Sequence, residues 1–197
     1  MTTLATAPIR RNENYTGPDD QIARSQAEAD AWFAELAREH RAGTSTLTAA
    51  DRLDIIELTH VWDSAYDALD LETWLSVWAD DDGVFSSRGF GEFRGRTAMT
   101  GYFTTYKTVF NGLRHVLSNH IIVGQGDTAR MYCYLTVFQR ITGTAMLGTS
   151  PFYDQLRRVD GRWKFVRRDQ VVDPGMTQTP EGQRLMGMFA QVMGSGT

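Results

Sequence analysis

Histidines and aspartates on two predicted elements have the chemistry needed for proton transfer. His60, Asp63 and Asp67 recur at helical spacing, and His115 and His120 lie in a later stretch typical of a strand. An imidazole titrates near neutral pH, so it can remove a proton next to a leaving group. A carboxylate that accepts the other ring N–H fixes the tautomer and stabilises the imidazolium that forms. The alternative is an ordinary buried hydrogen bond between a helix carboxylate and a strand imidazole.

The spacing within the predicted strand indicates which side chains share the face of His115. Residues an odd number of positions apart point to opposite faces, so His120 faces away from His115 unless a bulge intervenes. The same rule places Asn119 on the His115 face, where its amide would be a polar contact for a ligand. His60 lies two turns before Asp67 and is expected near the same pocket, with a hydrogen-bonded core histidine as the alternative.

The composition is that of a globular protein and excludes several classes of function. The chain has 197 residues, of which 42% are hydrophobic and 22% charged, a balance that supports a sizeable core. Its net charge of −4 argues against binding to phosphate backbones. The single cysteine, Cys133, excludes an intramolecular disulfide and a multi-cysteine zinc site. The sequence contains neither an apolar run of about 18 residues nor a secretory leader pattern, so we expect no membrane span and a cytoplasmic location.

The predicted elements are helices first and then a run of mostly antiparallel strands, which indicates an α+β fold. Helices are predicted over residues 19–40, from residue 48, from residue 70, and over residues 98–110 and 180–193. Strands are predicted within residues 84–93 and over 114–123, 129–140, 148–159 and 163–171, with a hairpin turn at 160–161. The pattern divides the chain into a tail with an extra helix (1–46), a main domain (47–173) and a C-terminal segment (174–197). The short helix of that segment would be a pocket lid or a dimer contact.

Basic residues cluster around the last predicted strand. They are Arg157, Arg158, Arg162, Lys164, Arg167 and Arg168. Because they bracket a strand in a chain without a basic surplus, we expect a solvated sheet edge or face rather than a nucleic-acid site.

Several short motifs follow one another in a characteristic order along the main domain. They are AYDALDLETW (65–74) with VWADD (77–81), GEFRGR (91–96), RHVLSNH (114–120) and YDQLRRVDGRWKF (153–165). Together they resemble the SnoaL-like branch of the NTF2-like superfamily, over roughly residues 48–172. The resemblance implies helices packed on a strongly curved, mostly antiparallel sheet, with a cone-like ligand pocket between them.

The resemblance also implies roles for individual residues. Scytalone dehydratase, bile-acid dehydratase and hexachlorocyclohexane dehydrochlorinase, all of this superfamily, use a pocket histidine assisted by a helix-end aspartate, and by motif His115 and Asp67 match these positions. Tyr66 matches a tyrosine that polarises a substrate carbonyl in the first of these enzymes, although adjacent helix positions lie about 100° apart and Tyr66 would then miss the pocket. Such relatives generally work without a metal, so no metal or other cofactor is expected. The expected substrate contacts are Asn119, Trp62, His60, Phe85, Tyr134 and Tyr106.

Three functions are compatible with these observations. The leading hypothesis is a cofactor-independent lyase of the dehydratase type, acting on a small cyclic or polyketide-like substrate. The alternatives are an isomerase or polyketide cyclase that uses the same acid–base pair, and a non-catalytic binding or accessory subunit. A catalyst predicts His115 within hydrogen-bond reach of Asp67 beside an open cavity, whereas an accessory subunit predicts a filled cone and a large apolar outer sheet face. We expect a small-molecule substrate, no nucleic-acid or membrane partner, and a homodimer or homotrimer.

Overall fold

Six strands form one mixed sheet that carries the rest of the molecule. The computed structural model describes residues 19–79, 82–87, 90–110, 112–140, 145–173 and 180–194. The strands are β1 (Val84–Ser87), β2 (Gly91–Arg94), β3 (Leu113–Gln125), β4 (Thr128–Gln139), β5 (Ala145–Val159) and β6 (Arg162–Gln170). Their order across the sheet is β2-β1-β6-β5-β4-β3, and all neighbours are antiparallel except β1 and β6. The long meander β3 to β6 therefore provides most of the surface on which the helices pack.

In the described part of the chain, five helices surround the sheet, and the second of them has well-defined ends. The helices are α1 (Asp19–Ala42), α2 (Ala49–Ala68), α3 (Leu71–Ser76), α4 (Gly95–Val109) and α5 (Pro180–Gly194). Thr48 caps α2 in a capping box with Asp51, in which each residue accepts a backbone N–H of the other. Leu69 ends α2 in the left-handed conformation, with φ of 58°. These two signals place Asp67 in the last turn of α2.

The two faces of the sheet bury different sets of side chains. On β4, alternate residues Met131, Cys133, Leu135 and Val137 are buried in the main core, toward α2 and α4. On the opposite face, Tyr132 belongs to a smaller cluster in which Leu36 of α1 packs on β3 and β5. We call these the inner and the outer face. The N-terminal helix thus covers part of the outer face, while the main core lies against the inner one.

The α+β class and the mostly antiparallel sheet predicted from the sequence are confirmed. The four long predicted strands correspond to β3 through β6, and the predicted hairpin turn at 160–161 joins β5 to β6, with Asp160 and Gly161 at positive φ. The polar tail predicted over residues 1–18 lies outside the described residues. Among the helices that the structure describes, none combines the length and the apolar character needed to cross a bilayer.

The expectation that the basic cluster forms a solvated face is wrong for Arg168. Its side chain is 0% exposed, whereas its neighbour Arg167 bonds Asp169 and Glu92 near the surface. A bulge in the β5–β6 pairing at Val166 accounts for the difference, because Phe165 and Arg167 pair with consecutive residues of β5. The extra residue shifts the alternation, so Arg168 rather than Arg167 joins Phe165 on the inner face.

Candidate active site

A cavity opens between α2, α4, α5 and the inner face of the sheet. Its lining is mostly aromatic and aliphatic: Trp62, Tyr66, Phe85, Phe90, Tyr102, Tyr106, Phe110, Leu113, His115, Leu135, Val137, Leu147, Phe152, Gln170, Val172, Gly182, Leu185 and Met186. The space open to water-sized molecules is about 70 Å³. Leu185 and Met186 belong to α5, and the buried Phe189 anchors this helix against Phe90 and Phe110. The C-terminal helix is therefore one wall of the cavity.

Asp67 and His115, which lie 48 positions apart in the chain, meet at the edge of this cavity. His115 Nδ1 lies 2.6 Å from Asp67 Oδ1, and both side chains are 5% exposed. The backbone N–H of His115 donates to both carboxylate oxygens at 3.1 Å, and Arg114 Nε lies 3.6 Å from Oδ2. Because a carboxylate only accepts hydrogen bonds, Nδ1 carries the proton in the neutral imidazole and Nε2 carries the lone pair. The arrangement fixes both the orientation and the tautomer of His115.

Aromatic rings surround the imidazole on its cavity side. Tyr66 and Trp62 approach it edge to face, with ring centroids 5.1 and 6.5 Å from that of His115. The hydroxyl of Tyr106 lies 3.4 Å from Nε2, at the long end of a hydrogen bond. The unprotonated nitrogen of His115 therefore faces an apolar space in which a phenol is its nearest polar neighbour.

The lining contains neutral hydrogen-bond donors. The hydroxyls of Tyr66 and Tyr102 bond each other, and burial raises the pKa of Tyr66, Tyr102 and Tyr106 above that of a free phenol. Each hydroxyl therefore keeps its proton. The indole N–H of Trp62 has no acceptor among the described residues. A ligand that brings acceptor oxygens would match this set of donors.

A second buried carboxyl, Asp63, lies one turn before Asp67 on α2. It is 6% exposed, and its Oδ1 has no hydrogen-bond partner in the described part of the chain. Burial raises the pKa of Asp63 to about 7, although His115 and Arg168 oppose the rise. The helical spacing placed Asp63 near Asp67, but only the packing of β3 and β6 against α2 buries it. Asp63 is not among the residues that line the cavity.

Behind the cavity wall, Arg168 forms a fully buried ion pair with Asp154. Both side chains are 0% exposed, with Nε to Oδ1 at 2.9 Å and Nη2 to Oδ2 at 3.2 Å. The guanidinium lies over the rings of Trp62 at 4.5 Å and Phe152 at 4.1 Å, both of which line the cavity. Burial raises the pKa of Asp154 to about 6, with Arg168 opposing it, so the carboxyl is ionised at neutral pH. Sequence reasoning missed this pair because the bulge at Val166 hides the inward position of Arg168.

The structure brings five of the predicted site residues to the cavity lining: Trp62, Tyr66, Phe85, Tyr106 and His115. Asp67 lies directly behind His115. Tyr66 reaches the cavity even though Asp67 does not, which is consistent with the angle of about 100° between adjacent helix positions.

The expectation that Asn119 contacts a ligand in the cavity is wrong, because a β-bulge turns its side chain away. The β3–β4 register shifts between Ser118 and Ile121, and Asn119 lies at the bulge with φ of 58° and an exposed side chain. The extra residue turns His120 toward α2, where its Nε2 lies 3.3 Å from Thr59 Oγ1. Burial, with the nearby Arg168, lowers the pKa of His120 to about 4. Asn119 therefore lies outside the cavity, and His120 faces inward.

His60 and Tyr134 are also outside the cavity. His60 is exposed on α2, and its ring centroid lies 6.3 Å from that of His120. Tyr134 is 39% exposed on the outer face of β4, next to Tyr132. Its position follows from strand alternation, because Cys133 and Leu135 on either side of it point inward. Among the residues described, no three histidine, cysteine or carboxylate side chains are grouped as metal ligands would be.

Comparisons with known proteins place this architecture in a family. The model of the SnoaL-like domain matches residues 47–169. A protein of unknown function with a cystatin-like fold from Nostoc punctiforme is 35% identical, with a TM-score of 0.62 over 65% of this chain and 95% of its own. An NTF2-like protein with a cystatin-like fold from Novosphingobium aromaticivorans is 25% identical, with a TM-score of 0.58 over 77% and 95%. The structure of LinA is 21% identical, with a TM-score of 0.55 over 61% and 84%, which indicates a shared fold. No curated protein sequence matches significantly.

Proposed function

This chain belongs to the SnoaL-like domain family, and we propose that it is a cofactor-independent lyase that eliminates water from a small cyclic or polyketide-like substrate. One observation carries the proposal. The imidazole of His115 donates through Nδ1 to Asp67 at 2.6 Å, and its unprotonated Nε2 faces an aromatic cavity. A base held in this way already has the orientation and the tautomer that it needs to take a proton.

The proposed reaction begins with removal of a carbon-bound proton by His115 Nε2. Asp67 stabilises the imidazolium that forms without taking a proton itself. The apolar lining strengthens this electrostatic interaction, because charges surrounded by apolar side chains are screened less than charges in bulk water. The electron pair left on carbon then expels a hydroxyl group from the neighbouring carbon, and a double bond forms.

The donors in the cavity lining support a substrate that carries a carbonyl group. A carbonyl next to the reacting carbon makes its proton more acidic and becomes negatively charged as the proton leaves. The neutral hydroxyls of Tyr66 and Tyr102 can donate to such an oxygen, which stabilises the charge as it develops. The aromatic walls favour a planar or cyclic carbon skeleton.

Two observations favour a catalyst over an accessory subunit. The cavity beside His115 is open rather than filled by side chains. The outer sheet face is partly covered by α1, whose Leu36 is buried against it. The isomerase and cyclase alternatives use the same base, and they differ from a lyase in releasing no water.

The proposal is tested by measuring kcat/KM for the His115→Ala and Asp67→Asn variants on a panel of β-hydroxy cyclic ketones. Formation of the conjugated enone is followed by its ultraviolet absorbance. We expect losses of about 10³-fold or more for both variants, because one lacks the base and the other mispositions it. The control is His60→Ala, which removes an exposed histidine outside the cavity and is expected to keep full activity. Full activity in both site variants would eliminate the proposed mechanism.

A further inference from the structure

The hydroxyl of Tyr106 lies beside the nitrogen of His115 that faces the cavity. The distance from Tyr106 Oη to His115 Nε2 is 3.4 Å, and the two residues are only 3% and 8% exposed. Because Nδ1 donates to Asp67, Nε2 is an acceptor and the phenol is the donor in this contact. The site therefore holds a base and a proton donor side by side.

The other phenols of the cavity have a different arrangement. The hydroxyls of Tyr66 and Tyr102 bond each other, whereas that of Tyr106 contacts the imidazole. All three residues line the same cavity, and Tyr102 and Tyr106 lie one turn apart on α4. Tyr102 is thus a matched phenol that shares the cavity with Tyr106.

We infer that Tyr106 is the general acid that protonates the departing hydroxyl group, with His115 as the base on the same side of the substrate. This inference rests on the proposed function. A dehydration needs such a donor, because hydroxide is a poor leaving group whereas water is a good one. The hydroxyl of Tyr106 needs only to rotate its hydrogen from Nε2 toward the leaving oxygen.

The proton and electron balance closes within the two residues. His115 Nε2 takes a proton from carbon, and the electron pair of that C–H bond forms the double bond. The C–O bond breaks toward oxygen, which takes the phenolic proton of Tyr106 and leaves as water. The imidazolium N–H then returns a proton to the phenolate oxygen beside it. Both side chains regain their starting states, and no oxidant or reductant is needed.

The environment of Tyr106 makes it acidic only after the base has acted. Burial, with Tyr102 and the carboxylates of Asp67 and Asp63 nearby, raises the pKa of Tyr106, so the resting phenol keeps its proton. A proton on His115 puts a positive charge within hydrogen-bond distance of the phenol oxygen. This charge opposes the rise and favours release of the phenolic proton. Removal of the carbon-bound proton is therefore expected to come before or together with loss of water.

The short distance between acid and base also predicts the stereochemistry. Groups that leave from opposite faces of a substrate need an acid and a base separated by at least two hydrogen-bond lengths, about 6 Å in total. The observed separation of 3.4 Å is about half of that. The hydrogen and the hydroxyl are therefore expected to leave from the same face.

The leaving group tests the role of Tyr106, since chloride needs no proton to depart. The experiment compares a β-hydroxy indanone with its β-chloro analogue in the Tyr106→Phe variant. We expect Tyr106→Phe to lower kcat/KM for the hydroxy compound about 10² to 10³-fold and to change the chloro reaction by less than about threefold. The Tyr102→Phe control is expected to affect the two compounds to similar extents.

Each outcome of this comparison decides one question. Equal losses on both compounds for Tyr106→Phe would overturn the role of Tyr106 and leave the proposed function standing. Failure of the unaltered protein to convert either compound would contradict the proposed function, and the inference with it. A second measurement requires no variant: the unaltered protein acts on the hydroxy compound with deuterium placed on one face of the carbon next to the carbonyl. Mass spectrometry should show loss of the deuterium that lies on the same face as the hydroxyl, and loss of the opposite one would overturn the inference.

Discussion

Two buried polar regions of this protein share one wall, Trp62. The cavity region consists of uncharged phenols and an imidazole: Tyr66, Tyr102, Tyr106 and His115. The ion-pair region lies behind that wall and consists of Asp154 and Arg168. Trp62 stacks on Tyr66 with ring centroids 4.7 Å apart, and the Arg168 guanidinium lies 4.5 Å from its ring. The two regions are buried to a similar degree, but their polar groups have different partners.

The two regions differ in which groups form hydrogen bonds with their buried polar side chains. In the ion-pair region, Asp154 accepts two hydrogen bonds from Arg168, so the two opposite charges compensate each other, while Arg168 Nη1 has no acceptor among the described residues. In the cavity region, Tyr106 makes only a long contact to His115, and the space beside them is open. Side chains satisfied by other side chains contribute mainly to folding, and side chains left for a ligand contribute mainly to function. Substitutions should therefore separate into losses of stability behind Trp62 and losses of activity in front of it.

The largest effect on stability is expected from breaking the buried ion pair. Asp154→Asn leaves the Arg168 charge uncompensated at a site with 0% exposure, which should lower the free energy of unfolding by about 3 to 5 kcal/mol. The measurement is urea unfolding at neutral pH. The control is Glu92→Gln, which removes an ion pair with Arg167 near the surface, where the expected loss is about 1 kcal/mol or less.

A double replacement sharpens this result. Asp154→Leu combined with Arg168→Met removes both charges and keeps apolar volume, so it should recover most of the stability lost on breaking the pair. If Asp154→Asn lowered the free energy of unfolding no more than Glu92→Gln does, the buried ion pair would not stabilise the fold more than a surface pair.

The sequence predicts the cavity region better than the ion-pair region, for a physical reason. Alternation along regular strands and the 3.6-residue period of α2 are local rules, and they place Trp62 and Phe85 in the core. The order of the motifs adds His115 and Asp67 through their resemblance to a family. These predictions are correct because the helix or strand that carries each residue is regular up to that residue.

Most of the failures follow from interruptions of a regular strand or from packing by distant elements. A bulge at Asn119 exchanges the expected directions of Asn119 and His120, and a bulge at Val166 turns Arg168 inward. A β-bulge depends on the partner strand, so the spacing within one strand does not reveal it. Tyr134 follows regular alternation, but the aromatic composition of its segment gives no indication of which face is inner. The burial of Asp63 likewise depends on strands more than 50 positions away in the chain.

Asp63 lies between the two regions, and the pH dependence of protein stability shows whether its charge is compensated. Because burial raises its pKa from 3.8 to about 7, the native protein keeps a proton between these values that the unfolded chain has lost. The free energy of unfolding therefore decreases as pH rises through this window, by at most about 4 kcal/mol at about 1.4 kcal/mol per pH unit. Asp63→Asn removes the titration, so its stability relative to the unaltered protein should increase from about pH 5 to about pH 8. Urea unfolding across this range measures the change.

The control for this titration is Asp70→Asn, on an exposed carboxylate at the N-cap of α3. Thr73 lowers the pKa of Asp70, so its contribution to stability is already complete at about pH 5 and should stay constant above it. A difference between Asp63→Asn and the unaltered protein that does not vary with pH would show that Asp63 has no raised pKa. In that case the folded protein would compensate the charge of Asp63, and Asp63 would belong to the ion-pair region.

The smallest effect is expected on the outer face, where Tyr134 provides a matched comparison with Tyr66. Tyr134→Phe removes a hydroxyl from a ring that is 39% exposed, and Tyr66→Phe removes one that lines the cavity. On a β-hydroxy ketone converted by the unaltered protein, we expect kcat/KM to be unchanged for Tyr134→Phe and about 10²-fold lower for Tyr66→Phe. The stability of Tyr134→Phe should change by about 1 kcal/mol or less. A clear loss of activity in Tyr134→Phe would contradict this comparison, because Tyr134 is not among the residues that line the cavity.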